Sequence, residues 1–272
     1  MCTADLMTHS PTPERYYDRI AHRYDAMYDT PYWDLYRRVT WEHAKPLLPR
    51  DRSPILDIGG GTGIWAVKLA KSGHDVTCAD LSHKMVDVAR AKAEEAGVAD
   101  RVACARSDLQ DLKEFGEGSF AVVWAQGDPL SYVPDPAAAL KNVARVLRPG
   151  GLLVASVDSK FAAIEHFLQL GDTAALEKFL RTGRDEWLGD RAEERFPVTF
   201  FSPDDLGKLL DRRGFSVVSM IGKTVLPLRK FEKLLEDPGH FRRLLDIELS
   251  LNRERSLLGF AGHLEVAARL KA

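Results

Sequence analysis

The run Ile55-Leu56-Asp57-Ile58-Gly59-Gly60-Gly61-Thr62-Gly63-Ile64-Trp65 constrains this chain more than any other stretch. An apolar segment ends on a carboxylate, passes through four glycines and enters a helical pattern, which predicts strand, glycine turn and helix start. Glycine has no Cβ and tolerates positive φ, so such a turn lets the backbone approach a ligand closely while helix N–H groups point at the same place. A nucleotide-like ligand follows. Gly61-Thr62-Gly63-Ile64-Trp65-Ala66 also fits the dinucleotide fingerprint with alanine last, which leaves an NAD(P)-dependent oxidoreductase as an alternative. Asp57 argues the other way. A carboxylate two residues before the first glycine would repel a pyrophosphate and could pair with a ligand ammonium group, so a cationic, phosphate-free nucleoside is expected.

Asp57-x-Gly59-x-Gly61-x-Gly63 resembles motif I of the class I S-adenosylmethionine-dependent methyltransferases. Three further stretches continue the resemblance in order. Asp80-Leu81-Ser82-His83-Lys84-Met85, beginning 23 residues beyond Asp57, resembles the family's second motif. Ser107-Asp108-Leu109 resembles its adenine-contacting turn, and Leu147-Arg148-Pro149-Gly150-Gly151 its turn into the fifth strand. The resemblance implies S-adenosylmethionine as cofactor, with Asp57, Gly59, Gly61 and Gly63 at the turn and Asp80 on both ribose hydroxyls. Leu81, Met85, Asp108, Leu109 and Gln126 would complete the cofactor site. It further implies an α/β fold, a doubly wound Rossmann-like sheet of seven strands with an antiparallel last strand. The implied activity is methyl transfer to a heteroatom or carbon of a small molecule, in the quinone-methylase-like branch. A non-catalytic cofactor-binding protein of the same fold is a further alternative.

Residues 1–13 are polar with Pro11 and Pro13, and read as a flexible leader. In residues 14–50, Tyr17, Ile20, Ala21 and Tyr24 fall at helical spacing, continued by Trp33, Tyr36 and Val39. This is either a helix pair packed on the core or, as similar small-molecule methyltransferases imply, a cover whose Tyr17 and Tyr24 close over the cofactor's methionine part. Residues 51–159 alternate apolar runs and helical patterns, with strands expected near 54–58, 76–80, 101–105, 119–125 and 151–157. Ligands bind outside the carboxyl ends of such strands, where Asp57, Asp80, Asp108 and Gln126 fall. Residues 160–198 read as a helical lid inserted over that end, broken at Gly171-Asp172, with His166 and Trp187 available to an acceptor. Residues 199–272 return to the core with strand six at Phe215–Met220, surface helices over 228–251 and a last strand at Gly262–Arg269.

A sulfonium methyl is already activated, so alignment and exclusion of water dominate, and a base is needed only when the acceptor must lose a proton. Tyr17, Asp128, Tyr132 and His166 are the acceptor-side candidates. His166 is the preferred base because its ordinary pKa lies near neutrality, although a lid histidine fits a structural role as well. Asp128 precedes proline and fits a turn start equally well. His263 reads as a strand residue near a turn. The loop Gln126-Gly127-Asp128-Pro129 is not the Asn-Pro-Pro-Tyr type of amide methyltransferases.

Lysine plus arginine number 38 against 40 acidic residues, a formal net charge of −2 without a like-charged run at either end. That balance speaks against nucleic acid as partner. No apolar stretch reaches the roughly 20 residues of a membrane span and no signal-peptide core opens the chain, so a cytoplasmic enzyme with no membrane contact is expected. Cys2, Cys78 and Cys104 form neither a disulfide framework nor a metal-ligand spacing, and no metal is expected.

Overall fold

The structure, a computed structural model, describes residues 12–187, 191 and 194–271. Nearly all of the expected leader, Cys2 included, lies outside the described residues, as does the side chain of Trp187. The chain opens with α1 (Pro13–Ile20), α2 (Tyr24–Met27) and α3 (Pro31–Ala44). Then β1 (Pro54–Ile58), α4 (Ile64–Lys71), β2 (Asp75–Asp80), α5 (His83–Glu95), β3 (Val102–Arg106), β4 (Phe120–Ala125), α6 (Pro136–Val146) and β5 (Leu147–Asp158) alternate as expected. The insertion holds α7 (Ile164–Leu170), α8 (Thr173–Thr182) and a separate hairpin, β6 (Arg184–Trp187) with β7 (Phe196–Thr199). After it come α9 (Pro203–Arg212), β8 (Phe215–Lys223), a 3-10 segment (Leu228–Glu236), α10 (Pro238–Leu251), α11 (Arg255–Leu258) and β9 (His263–Leu270). The hairpin corrects the all-helical reading of the insertion. Strands of four residues are too short to establish a period of two in the sequence.

The main sheet has seven strands in the order β3-β2-β1-β4-β5-β9-β8. β1 to β5 pair in parallel, and β9 runs antiparallel to both of its neighbours. Side chains of a strand alternate between faces, so consecutive residues feed different cores. Leu56, Val123 and Leu153 pack against Leu140 and Val143 of α6 and Leu206 and Leu210 of α9. Ile55, Val122, Trp124 and Val154 pack on the other face against Ala66 and Leu69 of α4 and Ala89 of α5. Local signals bound the helices. The Ser82 side chain accepts from Met85 N at the start of α5, Asp135 caps α6, and Ser202 accepts from Asp205 N ahead of α9. β5 begins four residues before the expected 151 because Leu147 already pairs with Phe120, after which the ladder shifts register.

The segment expected to act as one cover divides in two. Tyr32, Leu35 and Val39 of α3 pack with Ile221, Leu228 and Leu235, which makes α3 a fixed wall of the C-terminal part. α1 and α2 instead border a small cluster, Ile20 and Ala21 with Met85, Val88 and three tyrosines. Polar latches add to it. The Ser82 hydroxyl donates to Asp18 at 2.5 Å, the Thr62 hydroxyl donates to Asp25 at 2.5 Å, and Lys92 Nζ donates to the other Asp25 oxygen at 2.5 Å. Arg19 pairs with the insertion's Glu194.

Candidate functional site

At the carboxyl ends of β1, β2 and β4 lies a cleft of two lobes, about 250 Å³ and 150 Å³, which share Tyr17, Tyr24, Gly61, Gln126 and Tyr132. The glycine turn forms its floor. Gly61 has φ +54°, and a Cβ built there would meet nothing within 4 Å, so its missing side chain leaves open space for a ligand. Gly59 lines both lobes, but its hydrogen serves packing, since a Cβ would lie 2.7 Å from Pro129 Cβ. Gly63 lines neither lobe. A Cβ there would lie 3.0 Å from Ala89, so this glycine lets α4 lie against α5 rather than a ligand against the backbone.

Asp80 stands at the end of β2 with Oδ2 accepting from Gly61 N and Oδ1 from Ser82 N, both at 2.9 Å. Those two bonds fix the carboxylate, and each oxygen keeps a lone pair for a ligand diol in the larger lobe. Burial pushes its pKa up to about 6. Leu81, Met85, Asp108 and Leu109 complete this lobe. Asp57 departs from expectation: it is 1% exposed and lines neither lobe. Burial, with the Asp80 charge adding to it, pushes this carboxyl up to about 8, so at neutral pH it is mostly uncharged. It lies under the turn, where a Cβ on Gly60 would be 3.1 Å from its Oδ2.

The smaller lobe is walled by Tyr28, Trp33 and Tyr36 and takes in Asp128. Asp128 is buried with φ +65°, strained backbone for a residue before proline, which is normally extended. The fold-back turns its carboxylate to His263, with Nδ1 to Oδ2 at 3.0 Å, and Asp158 stands 3.8 Å from the same nitrogen. Burial opposes the Asp128 charge, but His263 and then Lys223 hold this carboxyl below its usual range. Burial also works against the His263 imidazolium, yet Asp128 and Asp158 hold its pKa above the ordinary value. Asp158 is pushed up to about 7 by burial and by the Asp128 charge, and it accepts a hydrogen bond from the Tyr132 hydroxyl. Tyr132 lines both lobes, and burial keeps its phenol neutral.

His166 is exposed and lines neither lobe, so it is not the base at this cleft. On the short α7 it is Phe167 that turns inward, at 5% exposure, onto Phe179. Among the described residues none from 160–198 lines either lobe, and Phe196 of the insertion stands 5.6 Å from the Tyr132 ring. His263, read from sequence as an ordinary strand residue, stands beside Asp128 and Asp158. Its signal is one of register: Asp158 pairs with His263 and His263 with Lys223, so three neighbouring strands end in one polar row.

A seven-stranded sheet with an antiparallel penultimate strand, a glycine turn that floors the cleft and a carboxylate that lines it at the end of β2 define a nucleoside-cofactor transferase rather than a dinucleotide dehydrogenase. Residues 55–151 match the methyltransferase domain family. The chain is 31% identical over 200 residues to the ubiquinone biosynthesis O-methyltransferase of Hahella chejuensis, spanning 74% of this chain and 77% of that protein. It is 25% identical to the tRNA 5-carboxymethoxyuridine methyltransferase of Escherichia coli K12 over 264 residues, 94% of this chain and 96% of that protein. In fold it is similar to a chain of the complex between the Haloferax volcanii Trm112 methyltransferase activator and a methyltransferase, with TM-score 0.61, 20% identity and coverage of 94% and 98%. The chain belongs to the class I S-adenosylmethionine-dependent methyltransferases, and S-adenosylmethionine is its methyl donor.

The tRNA-modifying relative overturns the exclusion of nucleic acid. A net charge near zero averages over the whole surface and does not describe the local surface that a substrate meets. Among the described residues no helix is long and apolar enough to cross a membrane.

The open space at Gly61 and the fixed Asp80 carboxylate fit the nucleoside part of this cofactor. α1 and α2 are held to the cleft by a small apolar cluster and by polar latches. Their amides are expected to exchange faster than those of α3, and to slow when S-adenosylhomocysteine is added. Equal exchange with and without ligand would show a static wall.

Proposed function

We propose that the protein transfers the methyl group of S-adenosylmethionine to an oxygen carried on a planar ring of a small molecule. The observation behind this reading is the aromatic-walled smaller lobe ending on the chain Tyr132, Asp158, His263 and Asp128. Flat apolar walls from Tyr28, Trp33 and Tyr36 suit a ring, and burial there strips water from the reacting oxygen. A ring hydroxyl resembles tyrosine, with a pKa of about 10, so it is a weak nucleophile at neutral pH unless its proton is taken. Asp158, at about 7, is matched to that task. Tyr132 reaches the cleft and passes the proton inward, while the imidazolium of His263 offsets the two carboxylates around it. S-adenosylmethionine supplies a methyl carbon already activated by positive sulfur. Asp80 and the Gly61 backbone would hold its nucleoside, and Tyr17 and Tyr24 would close over it from the cover. The O-methyltransferase relative supports the choice of oxygen.

A second reading places the ring on a tRNA nucleoside, and the uridine-modifying relative aligned with nearly the whole chain favours it. Transfer of labelled methyl from S-adenosylmethionine to dihydroxybenzoates and to total tRNA, run in parallel, separates the two. An aryl methyl ether supports the first reading, and ribonuclease-sensitive label supports the second. Preferential labelling of amines overturns both.

A further inference from the structure

Gln126 sits at the end of β4 where the two lobes meet, 5% exposed, and its amide raises a question of orientation. Lys223, at the end of β8, donates from Nζ to Gln126 Oε1 at 2.8 Å. An ammonium group has donors and no acceptor, so the amide is fixed with its carbonyl toward Lys223 and its NH2 turned away. That NH2 is buried and has no hydrogen-bond partner among the described residues. Lys223 is itself wholly buried, held 3.2 Å from Glu265 and 4.0 Å from the centre of the Tyr36 ring. Glu265 is anchored in turn by His43 at 2.6 Å, whose other nitrogen meets the Ser219 hydroxyl at 2.9 Å. Burying an ammonium inside a sheet is costly even when it is paired, and an apolar residue would fill the place more cheaply.

We infer that Lys223 is a positioning residue that makes Gln126 an obligate hydrogen-bond donor at the junction of the lobes, and that this donor selects oxygen over nitrogen as methyl acceptor. The inference rests on the ring-oxygen reading above and deepens it. An attacking ring oxygen uses one lone pair on the methyl carbon and keeps another that accepts from Gln126. A neutral amine has a single lone pair, spent in the attack, and its own N–H groups would face the N–H groups of Gln126. In the transfer the O–C bond forms and the C–S bond breaks with its electron pair going to sulfur. The ring hydroxyl's proton passes through Tyr132 to Asp158.

The test uses 4-nitrophenol and 4-nitroaniline as probes of the S-adenosylhomocysteine complex, followed by titration and by the absorbance that distinguishes nitrophenolate from nitrophenol. The wild-type protein is expected to prefer 4-nitrophenol at least about tenfold and to bind it with phenolate character, since a donor to the oxygen favours its charged form. Gln126→Glu, which keeps a partner for Lys223 but loses the donor, should abolish both the preference and the spectral shift. Lys223→Met, which frees the amide to turn, should do the same, and Lys223→Gln, which still donates, should restore them in part. If Lys223→Met does not fold, the Gln126→Glu result decides alone. Failure of the wild-type complex to bind 4-nitrophenol overturns the ring-oxygen reading and this inference with it. An unchanged preference in Gln126→Glu, or a loss confined to S-adenosylhomocysteine affinity, overturns this inference alone.

Discussion

A Gly61→Val protein is expected to fold and yet to bind S-adenosylhomocysteine at least about a hundredfold more weakly than the wild type. Two costs add: a β-branched residue at φ +54° is strained by about 1–3 kcal/mol, and its side chain occupies the space that the ligand needs. Asp80→Ala should cost at least about tenfold by a different route. Bonds to a charged group are worth about 1.5–3 kcal/mol each, and the substitution leaves ligand hydroxyls, Gly61 N and Ser82 N without their acceptor. Calorimetric titration gives both numbers, and circular dichroism checks the fold. Asp80→Ala binding as tightly as wild type would remove the cofactor from this cleft.

Turnover with a phenolic acceptor should rise as pH climbs through about 7 and then level off. The sign follows from Asp158, which accepts a proton only after losing its own, and whose pKa burial and Asp128 have lifted to about 7. The groups facing it are Asp128, His263, Ser131 and Tyr132. Asp158→Asn should remove this limb and lower the rate by about 10²–10⁴, the usual worth of a positioned base. Tyr132→Phe should lose a similar amount because it cuts the path to Asp158. His263→Gln removes the positive charge that favours ionised Asp158, so its limb should move to higher pH. His166→Ala serves as the control and should match wild type across the range. A flat profile in the wild-type protein would mean that catalysis is purely positional.

What the sequence made legible was local. The glycine turn, the acid ending β2 and the alternation of apolar runs each declare themselves within a few residues, and each stands where expected. The reasoning about Asp57 reached the cofactor class, but the residue is buried and lines neither lobe of the cleft. Its placement before the glycines says where the strand ends, but not that the side chain points under the turn. His166 was misplaced because a seven-residue helix does not fix which face is buried. The acceptor end was illegible for a stronger reason. Asp128, Asp158, Lys223 and His263 meet only through strand order and register, and no short window of sequence encodes those.

The position of β9 bears on how the molecule assembles. This strand, late in the sequence, lies inside the sheet, and β8 pairs with no strand but β9 among the described residues. β1 to β5 can zip together as they appear, whereas β8 must wait for a partner some 40 residues further on, a long loop to close before any ladder repays it. Chains truncated before His263 should therefore retain a parallel half-sheet with its glycine turn, but leave both the edge of β5 and the whole of β8 open to pairing with other molecules. Such chains would bind the methyl donor weakly, lose His263 and Glu265 from the polar row and tend to aggregate. In kinetic terms the methyl-accepting half of the active site is the last part of the enzyme to come into existence.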